Sequence, residues 1–296
     1  MKRSEIRVRD PYIVCDEGTY YLYVTTGDTT LSYYVSCDLE NWEYGGVAFE
    51  IPEDFWAYKD VWAGEIHKYR ERFYLFVSLI GKNGLRGTQI AVSDTPAGPF
   101  IPVADHAATP LSQSCIDGTL FVENGTPYMV YSHDWPDNYQ KDRNVYVGEI
   151  CAVRLSDDLT EIAGDPWVLF GSDEAPLSFD NPHKINYNGH QAIRYGSDAP
   201  FVQRLSNGAL YLTWSPYLAD HYVVLGAISI SGSLRGPWTH LSAPLFEENG
   251  GHAMFFKTAE GKNCMCIHAP EKQKLERACL FEVGEKNGEL YTIKEL

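Results

Sequence analysis

Three aspartates stand near the start of similar segments of the chain. Asp10 lies in "RDPYI", Asp117 in "IDGTL" and Asp198 in "SDAPF". Carboxylates that a fold brings together repel one another, and this repulsion raises the pKa of one of them. A carboxylate that accepts a proton beside a carboxylic acid that donates one would provide general acid–base catalysis. Asp before Pro or Gly is also common in turns, so it is the group of three that predicts a site.

The three segments belong to a hairpin pattern that occurs five times. The copies begin at Asp10, Ala63, Asp117, Asp198 and Gly251, with intervals of 53, 54, 81 and 53 residues. Each copy has an apolar run, a short polar or Gly-containing turn, and a second run rich in aromatic and aliphatic residues, which predicts a β-hairpin. A further strand-like segment follows each hairpin. Each unit of roughly fifty residues therefore holds about four strands, as one propeller blade does.

The predicted fold is all-β, a five-bladed β-propeller that forms a single domain over residues 1–296. Convincing helical periodicity is absent, which disfavours a parallel α/β fold, and a β-sandwich would not explain the repeat. The first strand of each blade in a propeller lines the central channel, so equivalent residues converge on its mouth. The long third interval is expected to contain an insertion, "GSDEAPLSFDNPHKINYNGHQAIRYG", that lies on one rim and covers a site.

Composition argues against several classes of partner. The 296 residues include 24 Lys+Arg and 40 Asp+Glu, a formal net charge of −16, which argues against nucleic acid and anionic membranes and leaves neutral sugars open. No apolar run reaches the roughly 18 residues that cross a bilayer, and the N-terminal residues contain no secretory signal. The seven cysteines lack CxxC spacing and are expected to be reduced thiols. A cytoplasmic location is therefore predicted.

Five segments, taken in order, resemble the glycoside hydrolases of family 43, inverting enzymes built on five-bladed propellers. They are "RDPYI" at 9–13, "VWAGEIH" at 61–67, "IDGTLFVENGTPYMVYSHDW" at 116–135, "SDAPFVQRLSNGALYLTWS" at 197–215 and "GGHAMFF" at 250–256. The resemblance implies that Asp10 is the general base, that Asp117 orients and tunes the pair, and that the general acid begins the fourth inner strand. Inverting glycosidases hold their two carboxyl groups about 6.5–9.5 Å apart, so that a water fits between them.

The general acid has two candidates. Members of this family usually carry Glu there, whereas the matching segment contains Asp198, whose side chain is about one methylene shorter. Glu174, in the insertion segment "SDEAPLS", is the competing candidate, and its alternative is an ordinary turn or solvated loop residue. The repeat register favours Asp198 and the residue type favours Glu174.

Six further residues are candidates for binding a sugar: Arg9, Trp56, Trp62, Glu65, His133 and Trp135. The tryptophans lie beside the first turns of blades two and three, where a ring can stack on a sugar, although aromatic residues at this density are also ordinary core. The arginine and the histidine would contact hydroxyls or form surface ion pairs. The glutamate is expected to point into the channel.

His252, in "GGHAMFF", is predicted to point toward the channel. The resemblance implies that it approaches a calcium ion or an ordered water there. A lone histidine without an oxygen-rich loop is poor calcium chemistry and is more often a structural residue. No cofactor is required for the predicted reaction.

The predicted function is the release of terminal pentose, α-L-arabinofuranose or β-D-xylose, from plant-derived oligosaccharides with inversion. The choice between these sugars, the linkage and the oligomeric state stay open. One alternative is a non-catalytic carbohydrate-binding propeller, which stays open because Asp198 stands where the family usually carries Glu. Another is a related propeller phosphorylase or fructan hydrolase, whose basic cluster or early "NDPNG"-like segment is not seen.

Overall fold

The fold is described by a computed structural model that covers residues 1–25 and 28–296. Within these residues the only α-helix is α1 (Pro176–Asp180), and short 3₁₀ turns lie at Arg3–Glu5, Trp135–Asp137 and Ser172–Glu174. All other regular structure is β, so the predicted all-β class is confirmed. No helix in the described part of the chain is long and apolar enough to span a bilayer.

The first two sheets are four-stranded antiparallel meanders. Their strands are β1 (Arg9–Asp16), β2 (Thr19–Thr25), β3 (Thr30–Ser36), β4 (Glu43–Glu50), β5 (Ala57–Tyr69), β6 (Arg72–Gly81), β7 (Arg86–Ser93) and β8 (Ile101–Pro102). The β1–β2 hairpin closes through Glu17 and Gly18, both at positive φ (48° and 81°). This two-residue turn matches the twist of the flanking strands.

The middle of the chain forms two sheets that interleave in sequence. Its strands are β9 (Cys115–Glu123), β10 (Thr126–His133), β11 (Tyr139–Gln140), β12 (Val145–Val147), β13 (Glu149–Arg154), β14 (Trp167–Gly171), β15 (His183–Tyr187) and β16 (His190–Tyr195). The third sheet has the order β9-β10-β13-β14, and a separate sheet has the order β11-β12-β16-β15. We call the latter the insertion sheet. The predicted insertion supplies only two of its strands, because β11 and β12 come from the loop after β10.

The last part of the chain forms the fourth and fifth sheets and a small ribbon, β19-β20. Its strands are β17 (Asp198–Arg204), β18 (Leu210–Ser215), β19 (Tyr217–Leu218), β20 (His221–Tyr222), β21 (Leu225–Ser229), β22 (Thr239–His240), β23 (Gly251–Lys257), β24 (Asn263–Ala269), β25 (Arg277–Lys286) and β26 (Glu289–Glu295). The fourth sheet is β17-β18-β21-β22, and the fifth is β23-β24-β25-β26.

The first strands of these five sheets contact one another in a closed cycle, β1 to β5, β9, β17, β23 and back to β1. Apolar clusters fill the spaces between successive sheets, including the space between the fifth and the first. Trp42 and Trp214 are among the largest fully buried side chains. The core therefore sits between sheets, and the five first strands, the inner strands of the fold, form a closed ring of contacts.

Each of the five first strands has an irregular register at the same place. The residues there with left-handed backbone are Asp10, Ala63, Asp117, Ala199 and His252, with φ between 48° and 59°. The predicted register of the last two copies is therefore wrong by one residue. Asp198 is equivalent to Arg9, not to Asp10, since Asp198 pairs with Ser215 as Arg9 pairs with Thr25. The error came from aligning the copies on their aspartates, whereas aligning Pro11 with Pro200 places Ala199 opposite Asp10.

A side chain from the neighbouring sheet fixes each bulge. The backbone N–H of Ala63 donates to Thr25 Oγ1 at 2.8 Å, that of Asp117 to Ser78 Oγ at 2.8 Å, and that of His252 to Ser215 Oγ at 2.8 Å. A buried N–H without a partner is costly, so these hydroxyls stabilise the bulges. The same hydrogen bonds tie each sheet to the next.

The first bulge is held differently, at the junction between the last sheet and the first. Asp10 N donates to His268 Nδ1 at 3.2 Å. His268 lies on β24, at the place where the other second strands carry Thr25, Ser78 and Ser215. Closure of the cycle thus uses an imidazole where three of the other junctions use a hydroxyl.

Candidate active site

One pocket opens at the end of the inner strands, with a volume of about 380 Å³. The three predicted aspartates, Asp10, Asp117 and Asp198, all line it. Two predicted sugar contacts, Arg9 and Trp62, also line it, together with Thr25, Ile116, Tyr222 and His252. The convergence that the repeat predicted is therefore present, although Asp198 reaches the pocket from a different strand position.

Asp10 is held in a cationic environment. Its Oδ1 lies 3.0 Å from His252 Nδ1 and 3.2 Å from His268 Nδ1, and its Oδ2 lies 3.8 Å from Arg9 Nε. Burial alone would raise the pKa of Asp10, but the charge of His252, contacts with both imidazoles and the charge of Arg9 hold it well below its usual range. The pKa of His252 is raised to about 9, because Asp10 and Asp117 outweigh the effect of its burial. At neutral pH the pair is a carboxylate and an imidazolium.

The pKa values of Asp117 and Asp198 are raised instead. Burial and the charges of Asp198 and Asp10 raise the pKa of Asp117 to about 6 against the opposing charge of His252. Burial also raises the pKa of Asp198, although the charges of Arg194, His252 and Arg9 oppose it. One pocket therefore holds an ionised carboxylate and a carboxyl that keeps its proton to higher pH, as an acid–base pair requires.

Asp117 also connects two sheets. Its Oδ2 accepts the backbone N–H of Ala199 at 3.0 Å, so the carboxylate takes the place at the fourth bulge that a hydroxyl takes at other junctions. Ala199 follows Asp198 directly. Asp117 thereby fixes the backbone beside Asp198.

Asp134 is a fourth carboxyl group that the sequence analysis did not single out. It follows β10 within "SHDW" and is buried. Burial and the charges of Asp198 and Asp117 raise its pKa to about 8. It is therefore neutral near pH 7 and limits the negative charge around the pocket.

Behind Asp10 lies a hydrogen-bonded network that the sequence did not predict. His268 is fully buried, and its Nε2 lies 2.6 Å from Glu271 Oε2. Glu271 also accepts two hydrogen bonds from Arg9 Nη1, at 2.9 and 2.8 Å, and one from Tyr217 Oη at 2.6 Å. His268 therefore links Asp10, on its Nδ1 side, to Glu271, on its Nε2 side. The one sequence signal for this network was His268 itself, which stands where the other second strands carry Ser or Thr.

Replacing Glu271 by Gln is expected to lower kcat by up to about 100-fold, since small displacements of catalytic groups have effects of that size. The pKa of Glu271 lies at about 2, because hydrogen bonding from His268 and the charge of Arg9 outweigh its burial. The amide removes a charge that holds both Arg9 and His268, and both contact Asp10. Steady-state kinetics of Glu271→Gln and of Glu282→Gln, a control at an ion pair with Lys294, would measure the effect. Equal rates for the two variants would contradict this role.

Several predicted site residues lie outside the pocket lining. Glu174 is exposed, and its Oε1 accepts the backbone N–H of Gly171 at 2.8 Å. Glu65 is buried with its Oε2 at 2.9 Å from His67 Nε2. Trp56 Nε1 donates to Gln89 Oε1 at 2.7 Å. Local contacts within the fold occupy these polar groups.

The two predicted contacts at the end of β10 also lie outside the pocket lining. His133 is buried between Glu149 and Asp137, at 2.8 and 2.9 Å. Trp135 packs against Tyr187 and Tyr146, with ring centroids 4.9 and 5.6 Å apart. His133 is thus held by ion pairs, and Trp135 packs on the aromatic face of the insertion sheet.

The described residues around His252 provide few ligands for a calcium ion. In residues 1–25 and 28–296, no group of three or more His, Cys, Asp or Glu side chains is arranged to hold a metal ion. His252 Nδ1 faces Asp10, and its buried Nε2 has no protein partner in the described part. Calcium takes six to eight oxygen ligands, which one imidazole nitrogen does not provide.

The closed cycle of sheets and the acidic pocket define an all-β protein equipped for general acid–base chemistry. The chain belongs to the glycosyl hydrolases family 43, whose model matches residues 4–284. The solved structure titled endo-arabinase from Bacteroides thetaiotaomicron VPI-5482 is 35% identical, with a TM-score of 0.87, over 98% of each chain.

Curated relatives in the same family match more distantly. A β-xylosidase from Xylanibacter ruminicola is 26% identical over 175 residues, which is 51% of this chain and 54% of that protein. An α-L-arabinofuranosidase 43 from Humicola insolens is 23% identical over 228 residues, which is 70% of this chain and 42% of that protein. The matched part thus spans about half of these relatives or less.

Proposed function

We propose that the chain is an inverting glycoside hydrolase that releases terminal pentose from oligosaccharides. The observation that carries this proposal is the difference between Asp10 and Asp198 in one pocket. The pKa of Asp10 is held low by cations, while burial holds the pKa of Asp198 high. Family membership and the relatives' names support a glycosidic substrate.

In the proposed reaction, Asp10 takes a proton from a water that attacks the anomeric carbon. Asp198 gives its proton to the departing glycosidic oxygen, so the leaving sugar departs as a neutral alcohol. The two steps occur on opposite faces of the sugar, and the configuration therefore inverts. His252, as an imidazolium beside Asp10, keeps the base ionised, and Asp117 fixes the backbone that carries the acid.

The sugar is proposed to be a pentose. A pocket of about 380 Å³ lies at the small end of ligand sites. The side chain of Trp62 lines it, with the Arg86 guanidinium 3.5 Å from the ring centroid on one face. The name of the 35% identical structure, an endo-arabinase, favours arabinose over xylose.

The architecture proposed for this activity is one five-bladed propeller domain. The five sheets whose first strands contact in a cycle would be the blades, and the insertion sheet would be an addition to one rim. The cytoplasmic location and the calcium ion in the channel stay predictions. Rates after chelation with EDTA, and after calcium is restored, would test the ion.

The proposed function is tested by assaying 4-nitrophenyl α-L-arabinofuranoside and β-D-xyloside, together with arabinotriose and xylotriose. We expect hydrolysis of the arabinosides at the higher rate, without a requirement for phosphate. Proton NMR of the first turnovers should detect the inverted anomer, β-arabinofuranose from an α-linked substrate. A retained anomer would contradict the proposed mechanism, and a phosphate requirement would indicate the phosphorylase alternative. Binding of the sugars without turnover would indicate a carbohydrate-binding protein.

A further inference from the structure

Arg194 is held between aromatic rings beside the pocket. It lies on β16 of the insertion sheet, and its guanidinium carbon is 4.5 Å from the ring centroid of Tyr217 and 5.2 Å from that of Trp135. Each contact is within the range of a cation–π interaction. The rings restrict the side chain and leave its donors for other partners.

In the described part of the chain, Arg194 forms no ion pair with a carboxylate, and its buried Nε has no hydrogen-bond acceptor. Three other arginines are paired instead, Arg9 with Glu271, Arg7 with Glu276 and Arg86 with Asp60. An unpaired buried donor is costly, which is the situation expected of a group that waits for a ligand.

Arg194 lies on the same side of the pocket as Asp198, the proposed acid. The ring of Tyr217, which the Arg194 guanidinium contacts, lies 5.0 Å from the ring of Tyr222. Tyr222 Oη in turn donates to Asp198 Oδ2 at 3.4 Å. The charge of Arg194 also lowers the pKa of Asp198 against the effect of burial. Arg194 is therefore close to the proposed acid. Because the acid protonates the departing oxygen, Arg194 lies on the side of the leaving group.

The aromatic surroundings suit a sugar on that side. The ring of Tyr217 stacks on His183 at 4.9 Å, and the ring of Trp135 packs against Tyr187 at 4.9 Å. Except for Tyr217 of the β19-β20 ribbon and Trp135 of the 3₁₀ turn after β10, these groups belong to the insertion sheet. Aromatic faces bind the apolar faces of sugars, and a guanidinium offers five donors to hydroxyl oxygens.

We propose that Arg194 binds the leaving-group sugar, so that the insertion sheet selects oligosaccharides over glycosides with a single sugar. This inference rests on the proposed function, because it assigns a leaving-group side to the pocket. It also gives the insertion sheet a role in substrate choice.

The test compares Arg194→Met with Arg235→Met on two substrates. Arg235 is an exposed matched control, since its guanidinium carbon lies 3.7 Å from the ring centroid of Trp167 on the third sheet. For Arg194→Met, kcat/KM on arabinotriose should fall at least about 10-fold more than on 4-nitrophenyl α-L-arabinofuranoside, the size expected for a hydrogen bond to a charged group. Arg235→Met should match the wild type on both substrates. Equal losses on the two substrates for Arg194→Met, or no loss on either, would overturn the inference.

A binding measurement separates this inference from the proposed function. Calorimetric titration of arabinotriose into Asp10→Asn and into Asp10→Asn/Arg194→Met reports the contact without turnover. We expect the double variant to bind about 10-fold more weakly. Equal affinities would overturn the role of Arg194 even if the wild type hydrolyses arabinosides. An inactive wild type with an Arg194-dependent affinity would overturn the hydrolase proposal and leave the binding role standing.

Discussion

The Asp10→Asn variant is expected to lose about 1,000-fold in kcat, within the range that general base catalysis contributes. The amide occupies the same volume but cannot accept a proton from water. It also removes the negative charge that faces His252 at 3.0 Å. KM should change much less than kcat, because the proposed role of Asp10 lies in the chemical step.

The measurement is steady-state kinetics on arabinotriose, with Asp94→Asn as the matched control. Asp94 is largely exposed and, within the described residues, forms an ion pair only with Arg72 Nε, at 2.8 Å, so its amide should retain wild-type activity. Thermal melts of both variants separate a lost base from a lost fold. Retention of more than a tenth of the wild-type kcat by a folded Asp10→Asn protein would exclude Asp10 as the base.

The Asp198→Asn variant should show a loss that depends on the leaving group. On arabinotriose, whose departing alcohol needs a proton, kcat should fall about 1,000-fold. On a dinitrophenyl arabinoside, whose leaving group departs as a stable anion, the loss should be less than about 10-fold. The alkaline limb of the pH profile should also change, because the wild-type rate falls as rising pH removes the proton from Asp198.

Glu174→Gln decides between the two acids that the sequence left open. Glu174 is exposed and accepts a hydrogen bond from Gly171 N, so its amide should behave as the wild type on both substrates. If Glu174→Gln shows the leaving-group dependence and Asp198→Asn does not, the assignment of the acid is reversed.

The sequence predicted the parts of the fold that follow from local pattern. Hairpins were predictable because turns such as Glu17–Gly18 separate runs of β-forming residues. The approach of Asp10 and Asp117 was predictable because a repeat places equivalent residues at equivalent points around an axis. The position of Asp198 was predicted one residue out of register, because the copies were aligned on their aspartates and not on Pro11 and Pro200.

Contacts between distant segments were not predictable in the same way. His268 and Glu271 act on Asp10 from the other end of the chain, across the junction that closes the cycle. The insertion sheet joins strands from two separate loops, including a parallel pair between β12 and β16. Trp56 and His133 were plausible sugar contacts by type, but the partners that occupy their polar atoms, such as Gln89 and Glu149, are visible only in three dimensions.

The left-handed bulges link the pocket to the thermal tolerance of the protein. Asp10, Asp117 and His252 all have a β-carbon at φ values between 51° and 59°, where an L-residue is destabilised by about 1–2 kcal/mol. Glycine would relieve that strain but would remove the side chain that the pocket uses. It would also leave buried groups without their partners, such as the backbone N–H of Ala199, which donates to Asp117 Oδ2, and the imidazole of His252, which faces Asp10. The same three residues therefore combine backbone strain with contacts that stabilise the fold, and relief of the first would cost the second.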